Sequence, residues 1–197
     1  MIKINAANQK VMAWKNGGGK TREIAIYPAN ANLETFDWRI STAQVDQGGP
    51  FSLFPGADRS LALLSGTGLA LSIGRRKSSH LTMGSSPVSF SGEDEVVSTL
   101  ADGTVSDFNV MTRRNRCSHT VTLMRVNGKT EISRMCDILI MYLPESGIVH
   151  YLTRQGERVE LCQGDAVVID ESDSNELTLF SSAPKDIYVT RISWKTD

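Results

Sequence analysis

Apolar and polar residues alternate along this chain in short runs, without the three-to-four spacing of a helix. Residues 21–27 read TREIAIY and residues 36–45 read FDWRISTAQV. Residues 60–73, SLALLSGTGLALSI, form a strand pair interrupted by Gly66 and Gly68. Further runs fall at 95–100, 107–112, 120–126, 137–143, 148–153, 158–162, 166–170, 176–180 and 186–194. Most are rich in Val, Ile, Leu and Thr, and Gly, Ser, Asn, Asp or Pro bound them. Branched side chains in short runs between turn residues predict an all-β protein. No long amphipathic helix is expected, and the best short candidate, 94–100, is weak.

The pattern also repeats. LTMGSSPVSF at 81–90 lies 80 residues before LCQGDAVVID at 161–170, with Leu, Gly and Val at matching places. Each block follows an apolar strand pair, LALLSGTGLALSI in the first half and ILIMYLPESGIVHYL in the second. Two similar β units, each a jelly roll, are expected. Their join is expected at 113–118, RRNRCS.

Composition narrows the field. Apolar residues make up 40% of the 197 and charged residues 22%, enough for a core. Basic residues number 21 against 22 acidic, a net charge of −1, so nucleic-acid binding is not expected. The runs Arg75-Arg76-Lys77 and Arg113-Arg114-Asn115-Arg116 read as solvated turns against that neutral whole. No apolar run is long enough for a membrane helix, and the N-terminus has no apolar secretory stretch. Cys117, Cys136 and Cys162 form no C-x-x-C and are odd in number, which suits reduced thiols in a cytoplasmic protein.

The densest polar information lies in four segments. They are WKNGGGKTREI at 14–24, FDWRIS at 36–41, GPFSLFPGADR at 49–59 and DFNVMTRR at 107–114. In this order they resemble the HutD/Ves family of cupin-fold proteins. The resemblance implies a bicupin, two β-barrel-like cupin modules in one chain, in a bacterial cytoplasmic protein. It also implies a link to histidine utilisation in many members, as a sensor or limiter of a pathway intermediate. Ves-type members are linked to stress responses instead. With the repeat, the expected modules are 1–116 and 117–197, packed as one compact unit.

A typical cupin metal site needs clustered histidines and a carboxylate. The segment before Gly66-Thr67-Gly68 holds no histidine, and His80, His119 and His150 are dispersed. No metal and no cofactor are expected. The glycine run is not a P-loop, because Trp14 stands where the first glycine would. It is either a turn feeding a strand or a loop over a barrel mouth, with Asn16, Thr21 and Arg22 facing a ligand.

Strand parity places the remaining candidates. Arg39, Ser41 and Ala43 share one face; Asp107, Asn109 and Met111 share another; Arg59 lies in line with Leu61 and Leu63. An arginine fork at the mouth of an apolar barrel suits a carboxylate. Arg59 therefore either anchors a small acid, such as urocanate or formylglutamate, or pairs internally with Asp58, Asp107 or Glu23. Asp107 and Asn109 either meet the ligand's polar end or support the 14–23 loop. No nucleophile–base set stands out. The reading is a metal-free small-molecule-binding protein with ligand residues Arg59, Arg39, Asn16, Thr21, Arg22, Asp107 and Asn109. The alternatives are a metal-independent enzyme using Glu23 or Asp107, or an interaction module binding a protein or a second copy as a homodimer.

Overall fold

The computed structural model describes residues 1–75, 77–153 and 156–196; Arg76, within one of the basic runs, lies outside them. Among the described residues there is no α-helix, only a short 3-10 turn at Ala6–Asn8. In chain order the first strands are β1 (Ile2–Ile4), β2 (Lys10–Ala13), β3 (Gly19–Tyr27), β4 (Trp38–Val45), β5 (Gly49–Pro50) and β6 (Ala57–Ser65). Next come β7 (Leu69–Ile73), β8 (Lys77–Leu81), β9 (Val88–Ser91), β10 (Val96–Leu100) and β11 (Val105–Arg113). The last are β12 (Cys117–Ser133), β13 (Ile138–Tyr142), β14 (Ile148–Leu152), β15 (Arg158–Cys162), β16 (Ala166–Ile169) and β17 (Glu176–Trp194). The short helix candidate at 94–100 is strand β10, as the Val-Val and Thr-Leu pairs favour. The runs at 120–126, 176–180 and 186–194 belong to two long strands, β12 and β17.

The chain forms two compact units. One is Gln9–Ser118; the other joins Met1–Asn8 to His119–Thr196. A division at 116/117 leaves the N-terminus in the first module, and here the structure differs. Ile2–Ile4 pairs antiparallel with Ala166–Val168 in β16. The Asp165 carboxylate anchors this strand by accepting from the Ala6 N–H at 2.8 Å and pairing with Lys3 at 3.1 Å. A three-residue strand of ordinary composition carries no mark of which partner it will take.

In the Gln9–Ser118 unit, a six-stranded sheet runs β2-β3-β4-β11-β6-β9 and a four-stranded sheet runs β5-β10-β7-β8. Every neighbouring pair is antiparallel. Val45, Leu61, Leu63 and Val105 from the first sheet bury against Leu69, Leu71, Ile73, Leu81 and Val96 from the second. A smaller cluster, Phe36, Ala57 and Met111 with Ile26 and Phe54, fills another part of the unit. Ile40, Phe108 and Val110, one step out of phase, are also buried.

In the other unit, the sheet runs β1-β16-β13-β17-β14-β15, with β12 on β17. Leu139, Met141, Val149, Tyr151, Leu161, Val167, Ile169, Leu179 and Val189 pack together in its core, and Thr190, Ser181, Asp165 and Arg134 are also buried in this unit. The pairings β6–β9 and β7–β8 recur as β13–β16 and β14–β15. Corresponding strands start 78 to 81 residues apart. Gly84 and Gly164, the glycines of the repeated block, both take φ +81°. That left-handed turn explains why the block keeps its glycine.

Candidate functional site

The inward face of the six-stranded sheet carries a band of polar side chains between two apolar clusters. Register aligns Asn109 with Ser41 and Leu61, and Ser41 with Glu23. One repeat further, Met111 aligns with Arg39 and Arg59. Asp107 aligns with Ala43 and Leu63. A register shift between Glu23 and Ala25 turns Glu23 and Ile26 to the same side despite their odd spacing. The face thus gathers Glu23, Arg39, Ser41, Arg59, Asp107 and Asn109.

Two guanidiniums in this band have different fates. Arg39, 5% exposed, donates from Nε to Glu23 Oε2 at 2.8 Å and from Nη1 to Ser41 Oγ at 3.3 Å. Its charge is matched inside the protein. Arg59, also 5% exposed, has no carboxylate at ion-pair distance among the described residues. Of its three expected internal partners, Glu23 holds Arg39 and Asp58 holds Arg114 at 2.8 Å, while Asp107 interacts with Arg59 through its charge without an ion pair or a hydrogen bond at Oδ1. Arg59 sits among three phenyl rings, its Cζ 5.0 Å from the Phe90 centroid, 5.2 Å from Phe51 and 5.3 Å from Phe54. Ring faces attract the cation and fix its plane. Nη1 donates to the Ser52 carbonyl at 3.2 Å, while Nε has no protein partner. Burial lowers the guanidinium to about 10, with Asp107 opposing and Arg39 adding, so it stays charged at neutral pH.

Asp107 is 3% exposed, and its Oδ1 has no hydrogen-bond partner; nor does Asn109 Oδ1. Burial raises the Asp107 carboxyl from 3.8 to about 7, against the pull of the Arg59 charge and the Ala43 backbone. A buried polar atom without a partner is uncommon and calls for an explanation. Here three of them lie in one band.

The glycine-rich segment does something else. Gly17 turns the chain at φ +71°, and the Gly18 N–H donates to Asn16 Oδ1 at 3.1 Å. Gly19 lies where a Cβ would overlap the Gln44 carbonyl oxygen and press on the Trp14 ring. The Trp14 indole N–H donates to Thr21 Oγ1 at 2.8 Å. Asn16 and Thr21 thus have local partners, and Asn16 and Arg22 are exposed. Of the seven residues expected to face a ligand, register places Arg39, Arg59, Asp107, Asn109 and Thr21 on the inward face, with Thr21 taken up by the Trp14 indole. Trp14→Phe, which deletes the indole donor, is expected to cost about 1 kcal/mol in urea unfolding. Sequence reasoning missed the rings. The Phe54-Pro55-Gly56 corner reads as a plain turn, yet it also delivers a phenyl group to Arg59.

The donor set does not fit a metal. Two guanidiniums facing one buried pair partner and one carboxyl repel a divalent cation, and His80, His119 and His150 stand on β8, β12 and β14. No cluster of three or more His, Cys, Asp or Glu suited to a metal occurs among the described residues. The three cysteines are free thiols. The basic segment 113–116 is engaged within its own unit. Arg113 donates to the Glu34 and Pro55 carbonyls at 2.7 and 2.8 Å, Arg114 pairs with Asp58 and Glu93, and Arg116 pairs with Asp37. No described helix is long and apolar enough to cross a membrane.

Comparison with known proteins places this geometry. Protein Ves of Citrobacter koseri is 41% identical over 112 residues, 56% of this chain and 57% of that protein. The alignment thus spans little more than half the length of that relative. A conserved protein of unknown function from Pseudomonas aeruginosa PAO1 superposes with TM-score 0.90 at 28% identity, over 98% of both chains. HutD from Pseudomonas fluorescens SBW25, solved in a formate condition, superposes with TM-score 0.81 at 25% identity, over 99% of both chains. An oxalate decarboxylase from Lactobacillus farciminis, 6% identical with TM-score 0.70 over 97% of this chain and 86% of its own, shares the cupin-like fold alone. The HutD family model matches residues 6–188, from the turn after β1 into β17. The chain therefore belongs to the HutD family.

Proposed function

We propose that this protein binds a small carboxylate at Arg59, on the inward face of the Gln9–Ser118 unit, as a sensor or regulator associated with histidine utilisation. One observation carries the reading. A buried guanidinium, oriented by three rings, has an open N–H and no carboxylate at ion-pair distance among the described residues. An acid supplies what is missing, with a charge-assisted hydrogen bond. We read the chain as a bicupin, each unit one module. The recurring strand pairing supports this.

Thermal unfolding with urocanate, formylglutamate, histidine, glutamate and formate tests the reading. At a hundred times its Kd a ligand stabilises by about 2.7 kcal/mol. For a chain of this size that is a rise of roughly 5–10 °C in Tm. The rise is expected for at least one acid and is expected to vanish in Arg59→Met, which keeps the packing against the rings. A flat panel with folded protein rejects the proposal. Asp107, poised near neutrality, gives the metal-independent enzyme reading its one supporting observation. Consumption of a bound acid over hours, absent in Asp107→Asn, would favour that reading over a purely binding role.

A further inference from the structure

We infer that the site selects carboxylates that also carry an N–H donor, with Asp107 and Asn109 as the specificity-determining acceptors. The inference rests on the carboxylate reading above and narrows it to a ligand class. Three buried polar atoms of the band lack protein partners, and they are of two kinds. Arg59 Nε is a donor; Asp107 Oδ1 and Asn109 Oδ1 are acceptors. A plain carboxylate answers only the first, because it too can only accept.

The geometry keeps the two acceptors available together. Asp107 and Asn109 stand two residues apart on β11 and share its inward face, roughly 7 Å apart along the strand. The backbone register locks both, since β11 is paired on both sides, with β4 and with β6. Both Oδ1 atoms are buried, and the residues facing them across the ladder, Leu61 and Leu63, are fully buried. The charged groups of the band are Arg59 on β6, Arg39 on β4 and Glu23 on β3. Arg39 and Glu23 neutralise each other, so Asp107 and Arg59 remain as the unmatched pair. They are close enough for their charges to interact, but no hydrogen bond joins them.

A ligand that bridges them must place an acceptor on Arg59 and a donor on Asp107 or Asn109. Amides, imidazoles and amines beside a carboxylate do this. An acid of the same shape with oxygen or carbon in place of the N–H leaves a buried acceptor unpaired. A mismatch of this kind weakens binding by about tenfold or more. Above neutral pH, Asp107 is an acceptor only, and the discrimination is sharpest.

Two matched pairs of probes test this by calorimetric titration at pH 8. The first is trans-urocanate against 3-(2-furyl)acrylate, where a ring oxygen replaces the N–H. The second is N-formylglutamate against glutarate, which lacks the amide. In at least one pair the N–H member is expected to bind at least tenfold tighter. That preference is expected to fall below threefold in Asp107→Leu or Asn109→Leu, through weaker binding of the N–H member alone. The wild-type comparison needs no variant, so a variant that fails to fold leaves the test intact. Equal affinities within both pairs overturn the inference while the carboxylate reading stands. A preference that survives in both folded variants overturns the role of these two acceptors. Failure of all four probes removes the carboxylate reading and the inference with it.

Discussion

Asp107→Asn is expected to be more stable than the parent chain at pH 8, by about 4 kcal/mol. Burial raises the folded-state carboxyl from 3.8 to about 7, so the folded protein holds this proton more tightly than the unfolded chain does. Stability is therefore greatest below the unfolded value, near pH 4. It falls as pH rises toward 7, and it levels off above. Each tenfold change in proton affinity is worth about 1.4 kcal/mol, and the interval spans roughly three of them. Asparagine matches the protonated side chain in shape and never ionises, so the variant escapes the loss. The attraction of Arg59 is already contained in the raised value and does not cancel it. Urea unfolding of both proteins at pH 4, 6 and 8 checks this. The gap should be near zero at pH 4 and should widen with pH. An identical gap at all three values would show that ionisation of Asp107 does not weaken the fold.

The second large effect concerns the glycine run. Gly19→Ala is expected to cost about 3 kcal/mol or more, against about 1 kcal/mol for Gly17→Ala. Both positions look alike in sequence, but their surroundings differ. At Gly19 the new methyl meets the Gln44 carbonyl, a backbone atom of the neighbouring strand that cannot move without breaking the β3–β4 ladder. At Gly17 nothing lies within 4 Å, and only the positive φ is penalised. Urea midpoints for the two variants measure the contrast. A neutral Gly19→Ala would show that the strand can yield at this close approach. It would return the segment to the reading in which its backbone faces a ligand.

These two residues also show what could be read in advance. Asp107 was legible as sharing a strand face with Asn109 and Met111 because β parity needs only the chain itself. The alternation that placed it with Asn109 and Met111 is the alternation the sheet displays. Arg59 with Leu61 and Leu63, and Arg39 with Ser41 and Ala43, were legible for the same reason. What parity leaves open is who answers whom across strands. Glu23 and Arg39 lie 16 residues apart, and a register shift after Glu23 aligns them. The rings around Arg59 come from the segment before β6 and from β9. Which groups surround the Arg59 guanidinium therefore depends on registers that local pattern does not encode.

By itself the sequence determined the strand content, which residues share a strand face, the repeated block that carries Gly84 and Gly164, and the family the motifs resemble. These depend on local sterics and on a period of two, both written in neighbouring residues. Only the tertiary structure decided that β1 joins the unit of β16, that Glu23 neutralises Arg39, and that Asn16 and Thr21 serve their own loop. It also left Arg59, Asp107 and Asn109 with unpartnered atoms in one buried band. Each of those outcomes depends on strands distant in sequence meeting in one register, and a pairing energy exists only once both partners are in place.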